Sequence, residues 1–286
     1  MNKTEYLKTP VVHEFINYFS GLIERKSINH QYEIRDTKLP DGYKEDHCEK
    51  DGSLKIDNLE DAFKKYWWKS KDYYQNKTKL DQLEKDIKDF HNKEDKDPNQ
   101  CYELIKEVFK WGGVWHVNKK GVGKVKNKDH LIKLEDAIKE MNSQNPDLDV
   151  FDKERSRMNA GYTKYYSLAC KDVIIYDGRV GAALGLITKE FCKEKDIYRV
   201  PSELNFRWGP ARNSEVNRDP SESNYKFIKF NANDREHAES NIRANWIIVE
   251  ALERAKRKKP DITWAYDKEI DIRMIEAALF IIGYSL

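Results

Sequence analysis

No two of the four cysteines, Cys48, Cys101, Cys170 and Cys192, stand at the close spacing that structural zinc sites and iron–sulfur clusters use, and no matching histidine pair accompanies them. That spacing excludes the common metal centres, so neither a metal nor a cofactor is expected. It fits reduced thiols in a cytoplasm. Long apolar runs are also missing. The longest, Ala277 to Tyr284, falls far short of the roughly 20 residues a membrane-spanning helix needs. The amino-terminal MNKTEYLKTP lacks the apolar core of a secretory signal, so a cytoplasmic protein with no membrane partner is expected. Net charge is small too, with 52 basic residues against 50 acidic ones. A net charge of +2 is too small to draw nucleic acid to the molecule as a whole, so any such binding must rest on local patches.

What the chain does have is a core and a wet surface. Hydrophobic residues make up 39% and aromatics 12%, against 36% charged residues and a mean hydropathy of −0.89. A chain of 286 residues can bury one sizeable core or two modest ones. Helical spacing dominates the pattern, so a mainly α fold with a few short strands is expected. Two lobes are expected to meet near Asp177, an amino-terminal one over residues 1–150 and a carboxy-terminal one over 151–286. Asn142 to Asp149, with Pro146, reads as the linker between them.

Taken in order, Thr9-Pro10 reads as a helix start, and Val12, Phe15, Ile16, Phe19, Leu22 and Ile23 follow on one face, with His13 packed or at its rim. Asp36 to Ser53, punctuated by Pro40, Gly42 and Gly52, reads as a loop. Leu59 to Trp67 and Leu80 to Phe90 carry two further helical faces. A helix with Ile105, Val108 and Phe109 stops at Gly112 and Gly113. The next stretch, VWHVNKKGVGKVKNK, places Gly121, Val122 and Gly123 among lysines. Such a turn can aim backbone N–H groups at a phosphate, with Lys120 and Lys124 beside it, or be an ordinary lysine-rich turn. From Lys110 to Lys128 there are six lysines and no acidic residue.

The chemistry points to Arg157–Phe191, RMNAGYTKYYSLACKDVIIYDGRVGAALGLITKEF. Asn159 or Ser156 can cap a first helix. Val173, Ile174 and Ile175 read as a short buried extended segment. Val180, Ala183, Leu184, Ile187 and Phe191 form a second helical face, which puts Asp177 at its start. Seven residues of helix from Lys164 to Lys171 cover about 10 Å, and Val173 to Tyr176 return about 13 Å if extended, so the two lengths bring Lys164 and Asp177 together. An ammonium beside a carboxylate can be a nucleophile with its activator, or a salt bridge. Further on, the irregular FRWGPARNSEVNRDPS carries Arg212 and Arg218, candidates for phosphate contacts, and Trp208, a candidate for stacking on a base. Arg218 pairing with Asp219 is the structural alternative. Asp234 or Asn233 can cap a long helix that ends in the basic run Arg254 to Lys259, and the final helix carries Ile272, Ile275, Ala278, Leu279 and Ile282.

YDGRVGAAL, preceded by VII, resembles the segment of the helix-hairpin-helix DNA glycosylases in which a catalytic aspartate opens a helix after a short apolar run. FxKWGGV, RMNAGYTK, IYDGRV and the terminal EAALFIIGY resemble segments of a bacterial group related to 8-oxoguanine glycosylase. The resemblance implies a two-lobed helical enzyme that cleaves the N-glycosidic bond of a damaged or modified base in double-stranded DNA, in repair or in defence against modified foreign DNA. It implies Asp177 as the catalytic carboxylate and Lys164 as a Schiff-base nucleophile with strand-cleaving activity. Arg157 and Arg179 would hold phosphates. Lys164 lies 13 residues before Asp177, a shorter separation than the family uses, and the glycines at 121 and 123 lie far upstream of the lysine. Both departures leave open a non-catalytic nucleic-acid-binding or partner-binding protein on the same scaffold.

Overall fold

The computed structural model of the chain describes residues 2–265 and 268–286. Among these residues are twelve α-helices and two small antiparallel strand pairs, with 55% of the chain helical, so the fold is mainly α. In chain order the helices are α1 (Lys3–Lys8), α2 (Pro10–Ile23), α3 (Tyr43–His47), α4 (Leu59–Lys64), α5 (Tyr73–His91), α6 (Pro98–Trp111), α7 (Trp115–Val122), α8 (Lys128–Met141), α9 (Tyr162–Ala169), α10 (Gly178–Glu194), α11 (Asp234–Lys258) and α12 (Ile272–Ile282). The strands are β1 (His30–Glu33) paired with β2 (Ser53–Ile56), and β3 (Thr263–Trp264) paired with β4 (Lys268–Glu269).

The chain forms two compact units, and each is discontinuous in sequence. The first holds Asn76–Asp177 and Ala232–Asn245 with the residues up to Lys3, and the second holds Thr4–Gln75, Gly178–Asn231 and Trp246–Leu286. These bounds differ from the expected lobes 1–150 and 151–286. Asn142 to Asp149 lies inside the first unit, and its own bonds and burial explain why it is no linker. The Lys3 N–H donates to the Gln144 carbonyl at 2.9 Å, the Asp147 N–H donates to the Glu140 carboxylate at 2.8 Å, and Leu148 is buried.

In the second unit, the Pro10 that opens α2 fits a position whose N–H has no helical partner anyway, and Thr9 precedes it as expected. Val12, Phe15, Ile16, Phe19, Leu22 and Ile23 are all buried, while His13 is exposed rather than packed. Phe15 meets Phe191 of α10 edge to face at 5.2 Å, and the Trp264 indole N–H donates to the Ile23 carbonyl at 3.0 Å. Each fully buried apolar side chain of this kind contributes about 1.5–3 kcal/mol. The stretch expected as a loop from Asp36 is bracketed by a hairpin, with His30 opposite Ile56 and Glu33 opposite Ser53, and it contains α3. Its pairing is non-local, which the intervening Pro and Gly residues hide. In the basic run that closes α11, Lys256 pairs with Glu269, and Lys258 with Glu24.

In the first unit, Phe90, Phe109, Phe151, Tyr165 and Tyr166 are buried, with the Phe109 and Tyr162 rings edge to face at 5.2 Å. Helix α9 has no solvent face, since seven of its eight residues are buried. Such a helix is central to its unit rather than amphipathic.

Candidate functional site

Helix α9 carries Lys164, and three local devices set its position. The Asn159 side-chain oxygen accepts from the N–H groups of Gly161 (2.8 Å) and Tyr162 (3.2 Å), satisfying donors that the helix start would leave orphaned. The Asn159 amide also donates to the Asn118 side-chain oxygen on α7 at 3.1 Å. Tyr165, roughly 100° round the helix from Lys164, shares a 2.8 Å hydrogen bond with His91. Burial lowers the His91 pKa below its usual value, with Glu135 opposing. A neutral imidazole there anchors one side of α9 and turns the lysine to the other.

The segment after α9 is extended and buried, as expected, and its backbone groups bond to side chains of α11 rather than to a neighbouring strand. The Ile174 N–H donates to the Asn245 side-chain oxygen at 3.0 Å, and the Asn241 amide donates to the Ile174 carbonyl at 3.2 Å. The Tyr176 carbonyl accepts from His237 at 3.0 Å and from the Thr163 hydroxyl at 3.3 Å. His237, Asn241 and Asn245 recur every four residues, so one polar stripe of α11 serves this segment as a second strand would. All three are buried. Sequence reasoning misses them. The signal that could find them is that four-residue spacing of polar residues beside an apolar face.

Asp177 ends this segment immediately before α10. Its carboxylate lies 3.7 Å from the Lys164 ammonium, and the two side chains are 17% and 7% exposed. The ammonium also donates to the Ala160 carbonyl at 2.8 Å. Asn233 provides the cap of α11, accepting from the Glu236 N–H at 3.2 Å. Asp234 instead accepts from the Met158 N–H at 2.8 Å and the Arg157 guanidinium at 3.1 Å. Arg157 is therefore held by a buried carboxylate in the same unit as Lys164 and Asp177.

Lys120 and Lys124, also in this unit, are exposed. The glycines near them form no hairpin. Gly121 lies within α7 and Gly123 opens a 3-10 turn, Gly123–Lys126, so backbone N–H groups there are spent on local bonds, as when Gly123 donates to the Gly121 carbonyl. The lysines at the carboxy-terminal end of α7 also suit its dipole.

The remaining sequence candidates belong to the second unit. Arg179 is buried, with its guanidinium 4.1 Å from the Phe280 ring and 4.8 Å from that of Tyr284, a cation–π arrangement. Trp208 is 8% exposed and clusters with Ala182 and Phe227. Its ring is used in packing, which removes the face expected to stack on a base. Arg218 donates to the Tyr284 carbonyl at 3.2 Å, and Arg212 is exposed. Tyr225 to Phe230, whose apolar residues are spaced as in a short strand, makes only two isolated bridges, a parallel one between Trp208 and Lys229 and an antiparallel one between Glu222 and Tyr225.

Among the described residues no group of His, Cys, Asp and Glu side chains could hold a metal ion, and no helix is long and apolar enough to cross a membrane. All four cysteines are free, and burial pushes the Cys101 thiol up to about 12. Compared with known proteins, the chain matches no protein-family model, no curated protein and no solved structure.

Proposed function

We propose that the protein is a DNA N-glycosylase that excises a damaged or modified base from double-stranded DNA, in repair or in attack on modified foreign DNA. The observation that carries this reading is the Lys164–Asp177 pair, 3.7 Å apart on two separate segments and largely withdrawn from water. A buried ion pair is weak as a stabilising device, because desolvation offsets most of the attraction. A lysine and a carboxylate withdrawn from water together can serve as nucleophile and proton acceptor.

A base must leave the stack before its sugar bond can be reached. Positive charge then develops on the sugar as the C1′–N bond lengthens, and the Asp177 carboxylate would stabilise it as carboxylates do in glycoside cleavage. Lys164, after losing a proton, would attack C1′. The base departs with the bonding electrons and a proton relayed through Asp177, and the adduct opens to a Schiff base.

A duplex panel carrying oxidised, alkylated, mismatched and modified bases tests this reading. The expected result is release of at least one base and a borohydride-trapped protein–DNA adduct that is lost in Lys164→Ala. Tight binding without release across the panel would assign a binding role instead. Base release without an adduct would make water the nucleophile. Lys120→Gln with Lys124→Gln should lower duplex affinity irrespective of sequence, and should reduce the slope of log affinity against log salt by about 0.9 for each phosphate that is no longer neutralised. An unchanged slope would remove that turn from the DNA path.

A further inference from the structure

Helix α6 ends at Gly112, and this glycine faces Lys164. A β-carbon built on Gly112 would lie 2.4 Å from Cδ and 2.8 Å from Cε of Lys164, closer than real β-carbons approach. The Gly112 backbone, at φ −72° and ψ −4°, is right-handed and open to any residue, so a turn does not explain the glycine. The space does. The lysine stem runs across the bare Cα of Gly112, and its ammonium then reaches both the Ala160 carbonyl and the Asp177 carboxylate.

We infer that Gly112 is a positioning residue for Lys164: its missing side chain is the groove that holds the ammonium within reach of Asp177. The consequence for the reaction rests on Lys164 and Asp177 being the reacting pair. The placement itself does not. Four methylenes give a lysine many rotamers, and a stem confined between a helix end and its own helix retains few of them. Filling the groove expels the stem, because its far end is the part free to move.

Gly112→Ala is the test, read in three ways. The first is amine acetylation of Lys164, followed by peptide mass spectrometry over a range of pH. The ammonium pushed out of its groove should label several-fold faster than in the native protein. The second is a double-mutant cycle on the melting temperature. Gly112→Ala should lower the melting temperature when Lys164 is present, and should leave it unchanged or raise it in a Lys164→Ala background, since alanine at a compatible backbone position restricts the unfolded chain. The third is base release, which should fall about 10²-fold in kcat with little change in KM, the scale a misplaced reacting group commands. Unchanged Lys164 labelling, or the same melting shift in both backgrounds, overturns the inference. If labelling and the cycle behave as expected while the native protein releases no base, the placement stands and the glycosylase reading fails.

Discussion

Asp177→Asn should lower the rate of base release by about 10²–10⁴-fold, the range that a lost acid–base group commands, while duplex affinity stays nearly unchanged. Asparagine keeps the shape of the side chain and the hydrogen-bonding capacity of one oxygen. It removes the negative charge and the proton acceptor. Two effects of opposite sign then compete. Loss of the neighbouring anion makes the Lys164 ammonium easier to deprotonate, which favours attack. Loss of the same anion removes the counter-charge for the sugar cation and the route for the proton, and these act at the transition state itself. The second effect should dominate, because charge developing in the transition state is what a fixed carboxylate stabilises. The fold should survive. The Ala160 carbonyl still accepts from the ammonium, and the carboxylate site is 17% exposed, so water can reach the new amide. Single-turnover base release with a thermal melt checks this. Release within a few-fold of native would reduce Asp177 to an ion-pair partner.

Local chemistry makes much of the fold legible. Thr9-Pro10 starts α2, α6 stops at Gly112, the apolar face of α2 is buried as its spacing requires, and α12 buries Ile275, Ala278, Leu279 and Ile282 while Ile272 stays half-buried. The meeting of Lys164 and Asp177 is also readable, since it follows from the rise per residue of a helix and the return of an extended segment. What stays hidden depends on partners distant in sequence. The β1–β2 hairpin joins residues twenty or more apart across a stretch with loop composition. Trp208 sits in an irregular polar segment, yet its ring packs against Ala182, and nothing local to Trp208 announces that neighbour. Helix α7 runs through Gly121 because its bonds are local and complete, where the glycines by themselves read as a turn. The first role of Gly112, ending a helix, is plain from its neighbours, while its second role requires knowing that Lys164 lies across it. The unit boundaries fall within α1, α5 and α11, between Asp177 and Gly178, and between Asn231 and Ala232, and no proline or glycine cluster marks those inside the helices.

Gly283→Ala should destabilise the second unit by about 3 kcal/mol or more, at or beyond the upper end of the usual overpacking cost. Gly283 follows α12 at φ −83° and ψ 16°, a conformation open to alanine, so the glycine is needed for closeness and not for its backbone angles. A β-carbon there would stand 1.8 Å from the Arg179 carbonyl oxygen, 2.6 Å from its carbon and 3.0 Å from the Ala183 nitrogen. All three are backbone atoms of α10, and they can yield only if the two helices move apart. That separates this substitution from Gly112→Ala, in which a flexible lysine stem takes the strain. Moving α12 by an ångström or so would also loosen the Phe280 and Tyr284 rings from the Arg179 guanidinium and weaken the pairing of Tyr284 with Trp67 at 5.5 Å. Close packing has no slack to absorb such a shift locally, so the loss should appear as a lower denaturant midpoint with an unchanged slope. A midpoint equal to that of the native protein would mean that the end of α12 relaxes outward by itself. In that case the contact between α10 and the Gly283 turn could not be what seats Arg179 on its two rings.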